Sequence, residues 1–274
     1  MLMAMANIHQ TAVVDPSAEL AEDVSIGAYS IIKGAVFVGR GTVIHEHTHL
    51  HGRTRIGENC EIGPAAFVGL RPQHLKADRE IGQLVIGNHV TIRETASIHR
   101  STHEGEEHAT RIGNDCFIMA GAHIAHDCAL GRSVIMANAA LLGGHCQIGD
   151  QSFLGGGAAI HQFVRVGRLA IVGGNEAVTQ EVLPFAAIRD RGMRGYNAVG
   201  CRRAGMNREV ISAIREVFRC LHSNRSIGQA VNEIRLRVPD LPEVREMLEF
   251  IATSKRGIAP SMGGRRNVFD EASS

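Results

Sequence analysis

The sequence predicts a mainly β protein, a parallel β-helix of hexapeptide repeats followed by an α-helical C-terminal domain. Three observations carry that expectation. An aliphatic residue recurs at every sixth position from Ile8 to Val68, resumes at Ile86, Ile92 and Ile98, and runs again from Ile112 to Val178, about 26 hexads in all. The 274 residues include 31 Gly, two Tyr and no Trp, which suits thin, regular layers better than a bulky aromatic core. Beyond about Arg203 the sixfold period gives way to that of amphipathic helices.

Each hexad reads as one short strand, and three make a triangular coil of about 18 residues. The aliphatic side chains then fill the interior, each stacked about 4.8 Å from its equivalent in the next coil. Glycine often follows the aliphatic residue, as in "IGNDCF" and "VGRLAI", and the fifth position is usually small. Cys60, Cys116, Cys128 and Cys146 all fall on that fifth position and read as core thiols. Cys128 and Cys146 lie one coil apart, within reach of a disulfide, although packing in a reducing compartment is the simpler explanation. No CxxC or zinc-finger spacing occurs.

The period breaks twice, which predicts loops extruded near 69–85 and 99–111. It stops at "VLPFAAIRDRG", where Pro184 lacks the N–H that a further strand rung would use, so the β-helix is expected over 1–188 and the helical domain over 189–274. In that second part Asn207 can cap a helix whose apolar face is Val210, Ile211, Ile214, Val217, Phe218 and Leu221. "SIGQAVNEIRL" opens with a capping box of Ser226 and Gln229, and "LPEVREMLEFI" places proline in a first helical turn.

Charge divides along the same line. Residues 1–188 hold 13 Lys+Arg against 18 Asp+Glu, whereas 189–274 hold 16 against 10. A basic helical end beside an acidic β-helix reads either as a solvated helical face or as a docking surface for an acidic partner, and for the latter a small acidic protein fits better than nucleic acid because stacking aromatics are scarce. No apolar run approaches the roughly 20 residues of a membrane helix. The N-terminus, "MLMAMANIHQ", lacks the charged start and apolar stretch of a signal peptide, so a cytoplasmic location is expected.

The segment "MAGAHIAHDCALG", Met119–Gly131, breaks the monotony. His123 takes the sixth place of its hexad and His126 the third, so both should point outward or toward a neighbouring subunit. An imidazole beside a carboxylate, here Asp127, is the arrangement of a general base: the acid orients the ring and stabilises the imidazolium formed on proton abstraction. His145 and His161 follow at spacings that permit the same side of the prism. Fifteen histidines are many, and the alternating His45, His47, His49 and His51 read as an outer ladder. Spacing alone also leaves open a trimeric zinc site of the carbonic anhydrase type.

"AHIAHDC", "GGHCQIG", "AIHQF" and the helix "NREVISAIREVFR", with the loop "RPQHLKADRE" and the insertion "SIHRSTHEGEEHATRIG", together resemble the acyl-carrier-protein-dependent UDP-N-acetylglucosamine O-acyltransferases that begin lipid A synthesis. The resemblance implies a left-handed β-helix, an exception to the usual right-handed crossover, assembled as a homotrimer with sites in the clefts between subunits. It implies no bound cofactor or metal, the acyl-phosphopantetheine of acyl carrier protein as donor, and a nucleotide sugar as acceptor. His126 matches the family's general base, Asp127 the residue that orients it, and Gly144 the backbone N–H of the oxyanion hole. Gln73, Lys76, His123, His145, His161, Gln162, Asn197 and Arg203 match positions that hold the nucleotide sugar. Gly174 matches the position that limits acyl length. The acidic carrier protein gives the basic helical end a partner.

Three positions depart from the family pattern. His74 stands where the well-studied enzymes carry an aspartate that contacts the sugar, Val199 replaces an acidic residue, and Ala204 replaces a basic one. Acceptor recognition is thus less well matched than the chemistry. A second expectation follows, the same thioester chemistry on another nucleotide sugar such as the 3-amino analogue. A zinc hydratase or a noncatalytic scaffold is the third, weakened because no histidine trio has the spacing of that zinc site.

Overall fold

The computed structural model describes residues 6–75, 82–223 and 226–262. Every one of the repeat aliphatics from Ile8 to Val178 lies in a strand of its own, from Asn7–Ile8 through Ala177–Val178. Among the described residues the strands form three sheets, of 11, 9 and 8 strands, that the chain visits in rotation and that are parallel up to the last strand of the first. Aliphatic sits on aliphatic throughout, as in Ile26 on Ile44 on Ile62. The two loops do not disturb this. Ile62 pairs with Ile92 across the first and Ile98 with Ile124 across the second, so each loop lengthens one coil and leaves the rungs in register. Between Ile32 and Val172 these side chains are almost wholly buried.

The small fifth position has a hydrogen-bonding reason. Ser30, Thr42, Thr48 and Ser152 are buried there, and each hydroxyl donates to a corner carbonyl 15 residues on, those of His45, Gly57, Gly63 and Gly167. Cys116, Cys128 and Cys146 donate through sulfur in the same way, to Gly131, Gly143 and His161. The thiols therefore act as small buried donors at the same place in the hexad as the hydroxyls, and all six cysteines are free. The residue before each of them adopts a left-handed backbone, as at Asp115, Asp127 and His145 with φ near 60°. Such a conformation is costly for a side-chain-bearing residue and persists because the coil on either side dictates it.

Two expectations about the end of the solenoid are corrected. Val182 bridges to Val166, and Ala186–Arg189 pairs in parallel with Ile171–Val172, so the coil continues past Pro184. The period slips there, with Val182 following Val178 by four residues before Ile188 restores the six, and the slip hides the last coil from a strict search. Pro184 costs no rung because the third place of the hexad lies outside the backbone ladder: at Glu58 and Arg132 that N–H goes to the side chains of Asn88 and Asp150. The chain then turns into an antiparallel strand, Gly192–Tyr196, which caps the first sheet. The boundary expected at 188 falls inside this hairpin.

Among the described residues four α-helices follow: α1 (Ala198–Arg203), α2 (Arg208–Ser223), α3 (Ile227–Arg237) and α4 (Pro242–Ala252). Asn207 caps α2 by accepting from the Val210 N–H, and Ser226 caps α3 by accepting from the Gln229 N–H. Sequence reading did not anticipate α1, whose N-cap is Asn197. Arg165 fastens the helices to the solenoid, bonding at 2.6 Å to the buried Glu181 and at 3.1 Å to the Phe250 carbonyl, while Arg168 pairs with Glu246 at 2.8 Å. Among the described residues no helix is long and apolar enough to cross a membrane.

Candidate active site

The corner that follows the second sheet carries the histidines. Coil stacking places Asp127, His145 and Phe163 in one column of left-handed residues and His126, Gly144 and Gln162 in the column beside it. His126 Nδ1 lies 2.6 Å from Asp127 Oδ2, and their side chains are 11% and 8% exposed. The ring packs directly on the backbone of the next coil: a Cβ on Gly144 would come within 2.6 Å of His126 Cε1. Glycine at 144 is therefore a condition for the ring's position. His126 was expected to point outward; it leaves the core but is covered, since the loop after Leu70 brings His74 edge-on to its ring at 5.4 Å, and His145 meets it edge-on at 5.3 Å.

Asp127 is held from several sides. The Thr102 N–H donates to Oδ1 at 2.9 Å, the Thr102 hydroxyl to Oδ2 at 2.8 Å, and the Asp127 N–H donates to the Thr110 hydroxyl at 2.8 Å. Burial pushes this carboxyl up, but the hydrogen bonds from His126 and Thr102, with His145 nearby, outweigh it and hold the pKa at about 2. Ionised Asp127 accepts only. His126 Nδ1 must then carry the proton, which leaves the Nε2 lone pair of the neutral ring free to act as a base.

His123 accepts or donates at Nδ1 with the Ser97 hydroxyl at 2.8 Å and meets the His99 ring at 5.2 Å. His99 in turn donates from Nδ1 to the Arg71 carbonyl at 2.6 Å. Burial lowers the pKa of both rings, and of His145, below the usual imidazole value. Sequence reading missed His99, although it stands in the place after the repeat aliphatic that glycine often fills. Thr102 carried no signal at all, because only the folded insertion returns it to Asp127. Gln73, His161 and Gln162 are exposed, and Lys76 lies outside the described residues.

Asn197 and Arg203 are elsewhere. With Val199 and Ala204 they line a cavity of about 480 Å³ against Phe153 and Ile171 of the first sheet, and none of the histidines reaches it. Both ends of the Asn197 amide are engaged, Oδ1 by the Gly200 N–H and Nδ2 by the Leu169 carbonyl, so its first task is to start α1. Gly174 is exposed at the corner after the first sheet, stacked over Gly156. One chain thus gathers the His126 group and the Asn197 group on separate faces.

His126, Asp127 and His145 bring ligand-type atoms within 4.8 Å of one another. The Nδ1 to Oδ2 separation of 2.6 Å is nevertheless a hydrogen bond. Two atoms each about 2.0–2.1 Å from one tetrahedral ion would stand farther apart than that.

Residues 181–259 match the family described as UDP N-acetylglucosamine O-acyltransferase, domain 2, and residues 109–144 match the bacterial transferase hexapeptide repeat. The acyl-carrier-protein-dependent UDP-N-acetylglucosamine O-acyltransferase of Thermodesulfovibrio yellowstonii is 44% identical over 257 residues, covering 93% of this chain and 99% of that one. The chain belongs to the UDP-N-acetylglucosamine O-acyltransferase family. The O-acyltransferase of Campylobacter concisus is 38% identical over 94% of this chain and 99% of its own. Among solved structures, LpxA of Acinetobacter baumannii superposes with a TM-score of 0.86 at 37% identity, covering 92% of this chain and 99% of that one. The acyltransferase fold is therefore shared along nearly the whole chain, through both the solenoid and the helical cap.

Proposed function

We propose that this acyltransferase moves a 3-hydroxyacyl chain from the phosphopantetheine thioester of acyl carrier protein to the 3-hydroxyl of UDP-N-acetylglucosamine, the step that begins lipid A synthesis. The observation that carries the reading is the His126–Asp127 pair at 2.6 Å, seated on Gly144. His126 Nε2 takes the proton of the sugar hydroxyl as its oxygen attacks the thioester carbon. The C–O bond forms, the C–S bond breaks as the tetrahedral intermediate collapses, and the imidazolium returns its proton to the departing sulfur. Gly144 occupies the third place of its hexad, and among the described residues its N–H has no partner. A donor so placed toward the developing oxyanion is worth about 3 kcal/mol.

The separation of the two residue groups supports a homotrimer. In a threefold arrangement of prisms, one chain's His126 corner would face its neighbour's first face, where Asn197 and Arg203 line their cavity. For the donor, a cleft of about 400 Å³ between α1 and α2, lined by Arg202, Arg208 and Arg215, supplies positive charge for the acidic carrier protein.

One observation favours a second acceptor. His74 meets the His126 ring, and a histidine in place of a carboxylate beside the sugar disfavours an ammonium and favours the neutral, nucleophilic form of a 3-amino group. The deciding experiment is a turnover assay with 3-hydroxyacyl carrier proteins of several lengths, offering UDP-N-acetylglucosamine beside its 3-amino analogue. Preference for the hydroxyl sugar supports the first reading; preference for the amine supports the second. His126→Ala should cost about a hundredfold to ten-thousandfold in turnover with assembly intact. Near-normal turnover would remove His126 from the mechanism.

A further inference from the structure

We propose that Thr102, on the insertion between the second and third sheets, is a positioning residue that clamps the Asp127 carboxylate and through it sets the orientation and basicity of His126. The inference rests on His126 being the base. Its foundation is the pair of bonds from one residue to both oxygens of one carboxylate, N–H to Oδ1 at 2.9 Å and hydroxyl to Oδ2 at 2.8 Å. Two donors on two oxygens fix the carboxylate plane, and that plane fixes which way the Nδ1 bond of His126 points.

Thr102 is itself well anchored. Ser101 is fully buried, its N–H donates to the Gln83 carbonyl, and its hydroxyl receives the Gln83 N–H and donates to the His103 carbonyl. The Thr102 hydroxyl has one proton and gives it to Asp127. His103 Nδ1, 2.9 Å from the same hydroxyl, must therefore donate into it. The insertion thus extends the dyad into a directed chain, His103 to Thr102 to Asp127, with His126 donating from the other side.

Removing the hydroxyl acts in two ways. The carboxylate gains freedom to rotate, which misplaces the base. It also loses a donor that withdraws its charge, so it stabilises imidazolium better and the acid limb of the pH profile moves to higher pH. Among the described residues, the other titratable groups around the ring are His74 from the loop after Leu70, His99 and His123 from the second sheet, His103 from the insertion and His145 from the next coil. All of them are retained when only Thr102 changes.

The test compares Thr102→Val, Thr102→Ser and His126→Ala with the wild type in steady-state kinetics across pH, with melting temperature followed in parallel. Thr102→Val is expected to lower kcat about tenfold to a hundredfold, to leave the KM for nucleotide sugar unchanged, and to shift the acid limb of kcat/KM upward. Thr102→Ser, which retains the hydroxyl, should restore both. Wild-type kcat and an unmoved acid limb in Thr102→Val overturn the proposal. So does a loss of kcat that tracks a lowered melting temperature with the acid limb unmoved, in either Thr102 variant. If His126→Ala is also active, the base assignment itself fails; if it is inactive while Thr102→Val is normal, only the clamp fails.

Discussion

At the scale of single residues, the site depends on one missing side chain as much as on those present. The His126 ring occupies the space a Cβ of residue 144 would need, 2.6 Å from Cε1 and 2.9 Å from Nε2. Gly144→Ala should therefore push the ring off the next coil's backbone and displace Nε2 from the acceptor while the coil itself survives. We expect kcat to fall about a hundredfold, the scale of a 1 Å misplacement, with the melting temperature little changed; a fall in melting temperature without loss of kcat would contradict this. Sequence reading reached His126, Asp127 and Gly144 by motif, but the contact that ties the first to the third is visible only because coil stacking puts residues 126 and 144 in one column.

At the scale of elements, the second sheet and the corner after it store a pH dependence. His99, His123 and His145 all have pKa values lowered chiefly by burial, so the folded corner prefers their neutral forms. A group depressed in the fold contributes stability above its unfolded value of about 6.5 and loses it as pH falls through the folded value. The melting temperature should accordingly drop between pH 7 and pH 5, and His123→Asn should flatten that slope; an unchanged slope would show that His123 is not one of the groups responsible.

The corner after the first sheet offers a different check. A side chain at Gly174 finds the Gly156 carbonyl at 3.2 Å on one side and open space beyond, so Gly174→Met should fold and shorten the preferred acyl chain. An unchanged chain-length profile would reject the ruler reading of this position. Strand positions were legible wherever the six-residue period held, because each repeat aliphatic falls in a strand of its own. The final coil was not legible, since a proline at a position with no ladder bond looks in sequence like a proline that breaks one.

At the scale of the whole molecule, the His126 corner and the cavity of Asn197 and Arg203 lie on different faces, and the proposed trimer would bring them together across two copies. Co-expressing His126→Ala with Arg203→Ala chains tests this directly. Each variant alone should be inactive, whereas mixed trimers contain some clefts in which one chain supplies His126 and the next supplies Arg203. Random assembly around a threefold axis should restore roughly a quarter of wild-type activity. No recovery would mean that both groups serve the same chain.

The sequence by itself determined the architecture, because a sixfold aliphatic period admits one repeating solution in which every such side chain reaches a common interior, and the switch to helical periodicity marks where that solution ends. It also singled out a candidate base, through a histidine beside an aspartate. Only the tertiary structure decided what surrounds that pair. Thr102 on the insertion, His74 on the first loop and the backbone of Gly144 converge on the His126–Asp127 pair from separate parts of the chain. Such convergence depends on how extruded loops fold back over a corner, and a loop that leaves the period carries no register from which its return could be read.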